Sequence, residues 1–421
     1  FYPMCVVWET DRNGNLDICA RIYNASGWDS ICYVLTEDLA VDSNPSVAVD
    51  ASERFWVVWQ SDRTGNWDIF VSSFDGGTWT TPYQLTVSDS ADINPSVAVK
   101  NDSVCVVWQT NREGTWKIYG SVYDGTGWSV PFLISVDDSG DHTNPVLMSD
   151  FSLSDGELFC AYANNVNGNR DVYVFDWNND TTKCVASSPV NDENPCLTPF
   201  GGCVWQSAAT GNFDIFASTG DTITSDDGAD INPYAVDLEL VGKAVPYYCV
   251  VWQTDRNGNW DVYSSFNWTD SIVPVDTDIS DDANPVVSAV TDPDDIFEYL
   301  VWVVWETNRD GNKEIYASLQ KTAGGMAVEN MESSTYLDVQ FDGPIWRISF
   351  SVTRTVCIDL SIFNVLGRRV ACVYTGNLTA GQHTIVWDSK DALGRFLPSG
   401  VYFVRMIADN GVWSGKVVFM K

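Results

Sequence analysis

The sequence predicts an all-β chain: a seven-bladed β-propeller followed by a C-terminal β-sandwich. A unit best seen at 55–74, FWVVWQSDRTGNWDIFVSSF, returns at Cys5–Tyr23, Cys105–Tyr123, Cys203–Ala217, Cys249–Phe266 and Val303–Ala317, with a worn copy at Leu158–Phe175. Its marker residue, at Trp8, Trp59, Trp108, Tyr162, Trp205, Trp252 and Trp305, recurs roughly every 50 residues, a period that fits propeller blades. From Met326 onward the repeat stops, and runs such as Val356–Asn364 and Gly400–Ile407 read as the strands of a separate, sandwich-sized domain.

Each repeat reads as a hairpin, because two runs rich in Val, Ile, Trp, Tyr and Phe flank a polar segment with a glycine. Gly14, Gly65, Gly114, Gly258 and Gly311 fit the left-handed position that closes such a turn. Val57–Trp59 is apolar at successive positions, so both faces of that strand should be covered by other sheets. Ahead of every hairpin but the first stands Asn-Pro, at Asn44, Asn94, Asn144, Asn194, Asn232 and Asn284. Proline is tolerated at a strand's first residue, so each Asn-Pro is expected to open the innermost strand. Pro-interrupted segments such as Thr78–Thr86 and Gly127–Ser135 suit an outer edge. The expected blade therefore has four strands: inner, hairpin pair, outer.

These motifs, NPSVAV and then VVWQSDRTGNWDIF, resemble the repeats of TolB-type β-propellers, whose blades carry a similar S-D-R-x-G-x-x-D-I-Y segment. The resemblance spans most of residues 1–325 and implies the fold; the family includes binding platforms, periplasmic scaffold proteins and enzyme accessory domains. Further on, IFNVLGRRV at Ile362–Val370, LTAGQHTIVW at Leu378–Trp387 and PSGVYFVR at Pro398–Arg405 resemble the immunoglobulin-like domain shared by flagellar hook-capping proteins and type IX secretion sorting domains. That resemblance implies export across an outer membrane, then anchoring or release. The expected organisation is a propeller at 1–325, a linker at 326–339 and an Ig-like sandwich at 340–421.

The net charge is −34, and residues 1–325 hold the whole excess, with fourteen Lys and Arg against forty-nine Asp and Glu. Such a field repels nucleic acid and anionic membranes and suits divalent cations, basic partners or plain solubility. No apolar run approaches the ~18 residues of a membrane helix. Phe1 begins inside a strand with no basic-then-apolar leader, as expected of a mature or trimmed soluble product. Eleven cysteines favour an oxidising, exported setting, with Cys5–Cys19 and Cys196–Cys203 as candidate bridges. Cys105, Cys203 and Cys249 occupy a position that is Trp56 in another copy, which also fits buried apolar residues.

In a four-stranded blade the outer-to-inner crossing and the hairpin turn open on one face, and there the acid collects. Asp89, Asp92, Asp137, Asp138, Asp141, Asp226, Asp227, Asp230, Asp281 and Asp282 lie in the crossings. Two readings stand: oxygen ligands for Ca²⁺, and side chains stabilising turns through their own backbone. Arg12, Arg63, Arg112, Arg256 and Arg309 recur too regularly for a catalytic cluster and are expected to pair with neighbouring carboxylates. Departures from the repeat are His142, Lys117, Arg170, Lys183, Tyr247 and Tyr248. With His142 and His383 the only histidines, composition argues against a His-based triad or a His-rich metal centre, and the lack of a C-x-x-C pair argues against zinc. Trp28, Trp79 and Trp128 either stack on sugars or pack between blades.

The first copy lacks its Asn-Pro strand and the last lacks a clear outer one, so the ring is expected to leave an open edge that invites a strand. No catalytic residue and no certain cofactor is expected. The functional expectation is an extracellular or cell-surface structural or adhesive component that pairs with itself, as oligomer or filament, or with another surface protein or glycan. The alternative is a glycan-binding or carbohydrate-active propeller whose tail serves export.

Overall fold

The computed structural model describes residues 4–11, 14–24, 27–28, 33–136, 139–150, 157–198, 201–238, 248–266, 272–276, 280–291, 299–308, 314–323, 326–329, 337–342, 345–352, 356–364, 368–379, 381–390, 395–397, 400–408 and 411–419. Every regular element among them is a β-strand. The chain divides into two compact units, 1–318 with 322–326, and 319–321 with 327–421.

The first unit contains seven small antiparallel sheets. In the second sheet Asp42–Val49, Phe55–Ser61, Asp68–Phe74 and Tyr83–Gln84 lie side by side in chain order, inner to outer. All seven residues of Phe55–Ser61 are buried, as continuous apolar character demands of a strand covered on both faces. Gly65 and Gly114, at φ 100° and 89°, take the left-handed place expected of them, and Gly65 N closes the turn on Asp62 O at 2.9 Å.

The Asn-Pro pairs are not strand openings. The inner strands begin two residues earlier, at Asp42, Asp92, His142, Asp192, Asp230 and Asp282, and the register slips at each Asn-Pro, as between Ser43 and Ser46. Asn44, Asn94, Asn144, Asn194, Asn232 and Asn284 all sit at φ 51–54°. Asparagine tolerates that left-handed conformation better than most residues, and proline's missing N–H falls where the ladder is already interrupted.

Among the described residues the first sheet has no inner strand. Met4–Thr10 pairs with Asp17–Asn24, which carries Gly27–Trp28 and Tyr33–Val34, and no other described residue pairs with Met4–Thr10. Of that strand only Met4 is buried. The ring nevertheless closes. Tyr23 of the first sheet and Trp302 of the seventh have ring centroids 5.2 Å apart, and the corresponding pair at the junction of the second and third sheets, Trp56 and Tyr123, is 5.3 Å apart. The seventh sheet runs Asp282–Thr291, Tyr299–Thr307, Glu314–Ala323, Met326–Glu329.

In the second unit a three-stranded sheet, Leu337–Asp342, Ile345–Val352 and Gly381–Trp387, contributes Trp346, Ile348, Phe350 and Trp387 to one core. A four-stranded sheet ordered Arg369–Leu378, Val356–Asn364, Gly400–Ala408, Gly411–Phe419 supplies Ile358, Leu360, Val404 and Met406 to the same core. It is a β-sandwich by construction.

Candidate functional site

The repeated polar residues meet in knots in the second, third and sixth sheets. Asp42, Asp92, Asp230 and Asp282, at the start of inner strands, are all 0% exposed. Trp59 Nε1 donates to Asp42 Oδ1 at 3.0 Å, Arg63 Nη2 reaches the same oxygen at 2.7 Å, and the guanidinium lies 4.4 Å from the centroid of Phe70. Arg112 repeats this with Asp92 at 3.2 Å and Tyr119 at 4.4 Å, and Arg256 with Asp230 at 3.1 Å and Tyr263 at 4.5 Å. The guanidinium thus offsets a buried charge and caps an aromatic ring together. These three arginines pair as expected; Arg12 and Arg309 lie outside the described residues.

The carboxylates singled out for calcium scatter into other tasks. Asp92, Asp230 and Asp282 are interior. Asp141 accepts from Trp116 N at 3.0 Å and Asp281 from Trp260 N at 3.2 Å, while Asp226 accepts from Gly228 N at 2.9 Å and pairs with Arg256 at 2.7 Å. Asp89 and Asp227 are exposed, and Asp137 and Asp138 lie outside the described residues. Among the described residues no three Asp, Glu, His or Cys side chains converge where a metal would sit. Crossing and turn do share a face, for a reason invisible in the carboxylates: Asn66 Nδ2 donates to Ser88 O and Ser90 O, both at 2.9 Å, and Asn169 repeats this on Ser188 O and Val190 O. The Asn that follows every turn glycine but Gly114 was the signal.

Burial raises the carboxyl of Asp230 above its ordinary range, against the downward pull of Thr254, Thr224 and Arg256. A raised native value means that the folded state takes up a proton more readily than the unfolded one, so this contribution is fullest below 3.8 and is lost as pH rises through the native value. Relative to Asp230→Asn, the unaltered protein should therefore gain stability as pH falls from 7 toward 4. Paired urea melts across that range check it, and a difference independent of pH would contradict the assignment.

The departures from the repeat split into two groups. Lys117, His142, Tyr162 and Asn164 are 0–2% exposed and come together at the junction of the third and fourth sheets. Lys117 Nζ reaches Gly140 O at 3.3 Å, and the His142 and Tyr162 rings are 5.4 Å apart. They take the places of Asp68, Asp92, Trp59 and Ser61, and Val166 takes that of Arg63, so one knot has been rebuilt with the charges exchanged. Sealed from solvent, it offers no approach to a substrate. Arg170 instead pairs with Glu193 at 2.5 Å, Lys183 is exposed on an outer strand, Tyr248 is half-buried and Tyr247 lies outside the described residues.

Neither candidate disulfide forms. Cys196 lies opposite Val204 and Cys203 opposite Leu197, so the two sulfurs project from opposite faces of one sheet and enter different cores. Cys5, opposite Ile22, and Cys19, opposite Trp8, are separated in the same way. Burial pushes the Cys105 thiol up to about 11 and Cys203 well above its ordinary value, leaving both protonated and unreactive at neutral pH.

Trp79 packs on Tyr33 and Phe74, and Trp128 on Trp56 and Tyr123, between neighbouring sheets; the Trp28 side chain lies outside the described residues. Beside Trp128 a groove of ≈ 410 Å³ is lined by Trp56, Tyr83, Tyr123, Ser73 and Thr80.

At the hub most of the asparagines bond to the next one round, while Asn94 Nδ2 turns to Gln109 Oε1 at 3.0 Å. Asn44 Nδ2 donates to Asn94 Oδ1 at 2.6 Å, Asn144 to Asn194 at 2.7 Å, Asn194 to Asn232 at 2.9 Å and Asn232 to Asn284 at 3.4 Å. Four of the hub residues also tie two sheets through a glutamine: Gln60 Oε1 accepts from Asn94 N at 2.8 Å, Gln109 from Asn144 N at 3.0 Å, Gln206 from Asn232 N at 2.9 Å and Gln253 from Asn284 N at 2.9 Å; Asn44 N goes to Glu9 at 2.6 Å instead.

Seven radial sheets around a shared hub define an all-β propeller. No family model and no curated protein matches the chain. Among solved structures it is similar to TolB from Acinetobacter baumannii, at 14% identity over 62% of this chain and 60% of that one, with a TM-score of 0.40. A Dyadobacter fermentans protein of unknown function shows 12% identity over 68% and 96% of the two chains, TM-score 0.45. A Trypanosoma rangeli sialidase in complex with 2,3-difluorosialic acid shows 10% over 98% and 88%, TM-score 0.43. These likenesses concern the fold alone.

Proposed function

We propose that the chain is a non-catalytic, extracellular propeller that serves as a structural or adhesive component of a cell surface and assembles with copies of itself. The observation that carries this reading is the consumption of the repeated polar residues by structure: the recurring Asp and Arg pair in the second, third and sixth sheets, Trp59 and Trp252 bond to the same carboxylates, and most of the hub asparagines bond to the next. The rebuilt knot at Lys117 and His142 breaks that symmetry but is closed to solvent. The acidity of residues 1–325 favours an exposed, soluble scaffold. On this reading the C-terminal sandwich, which resembles secretion-sorting domains, directs export and anchoring. Sedimentation velocity and electron microscopy of the purified chain over a concentration series test it, with reversible higher species or fibres expected; a monomer at every concentration overturns self-assembly.

The aromatic groove beside Trp128 favours a second reading, glycan binding, since Trp and Tyr faces flanked by Ser73 and Thr80 suit a sugar ring. Saturable quenching of tryptophan fluorescence by soluble oligosaccharides, lost in Trp128→Ala, would support it over the scaffold.

A further inference from the structure

The first three junctions between successive sheets share a packing scheme, and the middle one breaks it. The residue three places before the marker aromatic is Cys5 in the first sheet, Trp56 in the second and Cys105 in the third. Where it is cysteine, the aromatic of the outer strand lies on a ring of the following sheet. Tyr33 meets Phe74 with centroids 5.4 Å apart, and Phe132 meets Trp177 at the same distance. Cys5 and Cys105 pack in those two clusters, where a small side chain leaves room for the contact. At the junction of the second and third sheets the indole of Trp56 covers the corresponding ring itself. It lies 5.3 Å from Tyr123, which holds the place of Phe74 and Trp177, and 6.5 Å from Trp128. Tyr83 sits opposite Val71 as Tyr33 sits opposite Ala20 and Phe132 opposite Gly120, but it finds its partner ring taken and is 55% exposed.

The groove of ≈ 410 Å³ between Tyr83 and Trp128 is the consequence, and its size falls within the roughly 300–1,000 Å³ of small-ligand sites. Two contacts fix the indole that props it open: Trp56 Nε1 donates to Asp50 Oδ2 at 2.9 Å, and the Arg54 guanidinium lies 5.7 Å from the ring centroid. No charged residue lines the groove, although the surrounding unit holds the whole excess of acid. Most of its hydroxyls are already engaged. Ser72 Oγ donates to Thr80 O at 2.7 Å and Thr80 Oγ1 accepts from Ser73 N at 2.9 Å, an arrangement that Ser121 and Ser129 repeat in the third sheet. Thr126 Oγ1 goes to Asp124 Oδ1 at 2.7 Å, which sets an exposed carboxylate at the rim. The hydroxyls of Ser73 and Tyr83 are left to meet a ligand.

We propose that this groove binds a neutral hexopyranose unit of a glycan between the rings of Tyr83 and Trp128, and that Trp56 is the positioning residue that holds the site open. The proposal rests on the glycan-binding reading above; it adds which rings grip, which class of sugar they accept and why one junction of the three is open. A pyranose has an apolar C–H face that stacks on an aromatic ring, and hydroxyls around its edge that can bond to Ser73 and Tyr83. A purely apolar ligand would leave those two hydroxyls unmet. A uronic acid would carry its carboxylate past Asp124 into the negative field of the unit.

The test is isothermal titration calorimetry of the full chain with cellohexaose, mannohexaose and, as the charged counterpart, hexagalacturonic acid. Saturable binding of a neutral hexasaccharide is expected, at least roughly tenfold tighter than that of the acid. Tyr83→Ala alters an exposed side chain and should weaken binding roughly tenfold, the loss of one aromatic wall. Trp56→Cys, which installs the residue of the two closed junctions, should abolish binding and protect Tyr83 from a tyrosine-labelling reagent, because its ring can then close on Tyr123. Thermal melts show whether Trp56→Cys stays folded, and Tyr83→Ala carries the test if it does not. Neutral binding that is lost in Trp128→Ala but unchanged in Tyr83→Ala would leave glycan binding standing and overturn the clamp. Equal or tighter binding of hexagalacturonic acid overturns the neutral class, as does binding of a decaproline peptide with none of either hexaose. Absence of binding by all three sugars overturns this proposal and the glycan reading together.

Discussion

Trp59→Ala is expected to destabilise the protein by about 4 kcal/mol, toward the upper end for deleting a buried indole. Trp59 is 0% exposed, packs with Ile18, Val57 and Phe70, and gives its N–H to Asp42. Its removal opens a large apolar void and takes a donor from a carboxylate that has no access to water. The repeat supplies an internal control: Trp8 holds the same place in the first sheet and is only half-buried. Trp8→Ala should cost about half as much, because less surface is returned to solvent. Chemical denaturation of both variants checks the order; equal losses would contradict the difference in burial.

Arg63→Ala should cost about 3 kcal/mol, since it leaves the 0% exposed Asp42 without its guanidinium. Arg63 is 22% exposed, so solvent screens part of the pair and places the loss at the low end for a broken buried bridge. The double variant Asp42→Asn/Arg63→Ala should recover much of it, because a neutral amide is far less costly to bury than an unpaired carboxylate. The fourth sheet shows that the exchange is tolerated, with His142 and Val166 at the places of the Asp and the Arg. A double-mutant cycle in which the two losses simply add would show that the pair is not coupled.

Much of the propeller was legible because its causes are local. A glycine after a polar triplet specifies a left-handed turn residue, and a run such as Val57–Trp59 specifies a strand covered on both sides. The arginines were legible through their regularity, which pointed away from catalysis and toward the carboxylates they meet. Other features depended on the third dimension. Asn-Pro reads as a strand opening because proline obeys that rule elsewhere, and only the register slip between Ser43 and Ser46 reveals a bulge that turns each asparagine to the axis. The cysteine pairs looked close along the chain, but closeness says nothing about which face of a sheet a sulfur leaves from.

The amides around the axis run one way. Asn44, Asn144, Asn194 and Asn232 each pass a proton-bearing nitrogen forward to the next asparagine, so the hub has a sense of rotation fixed by the chain's direction.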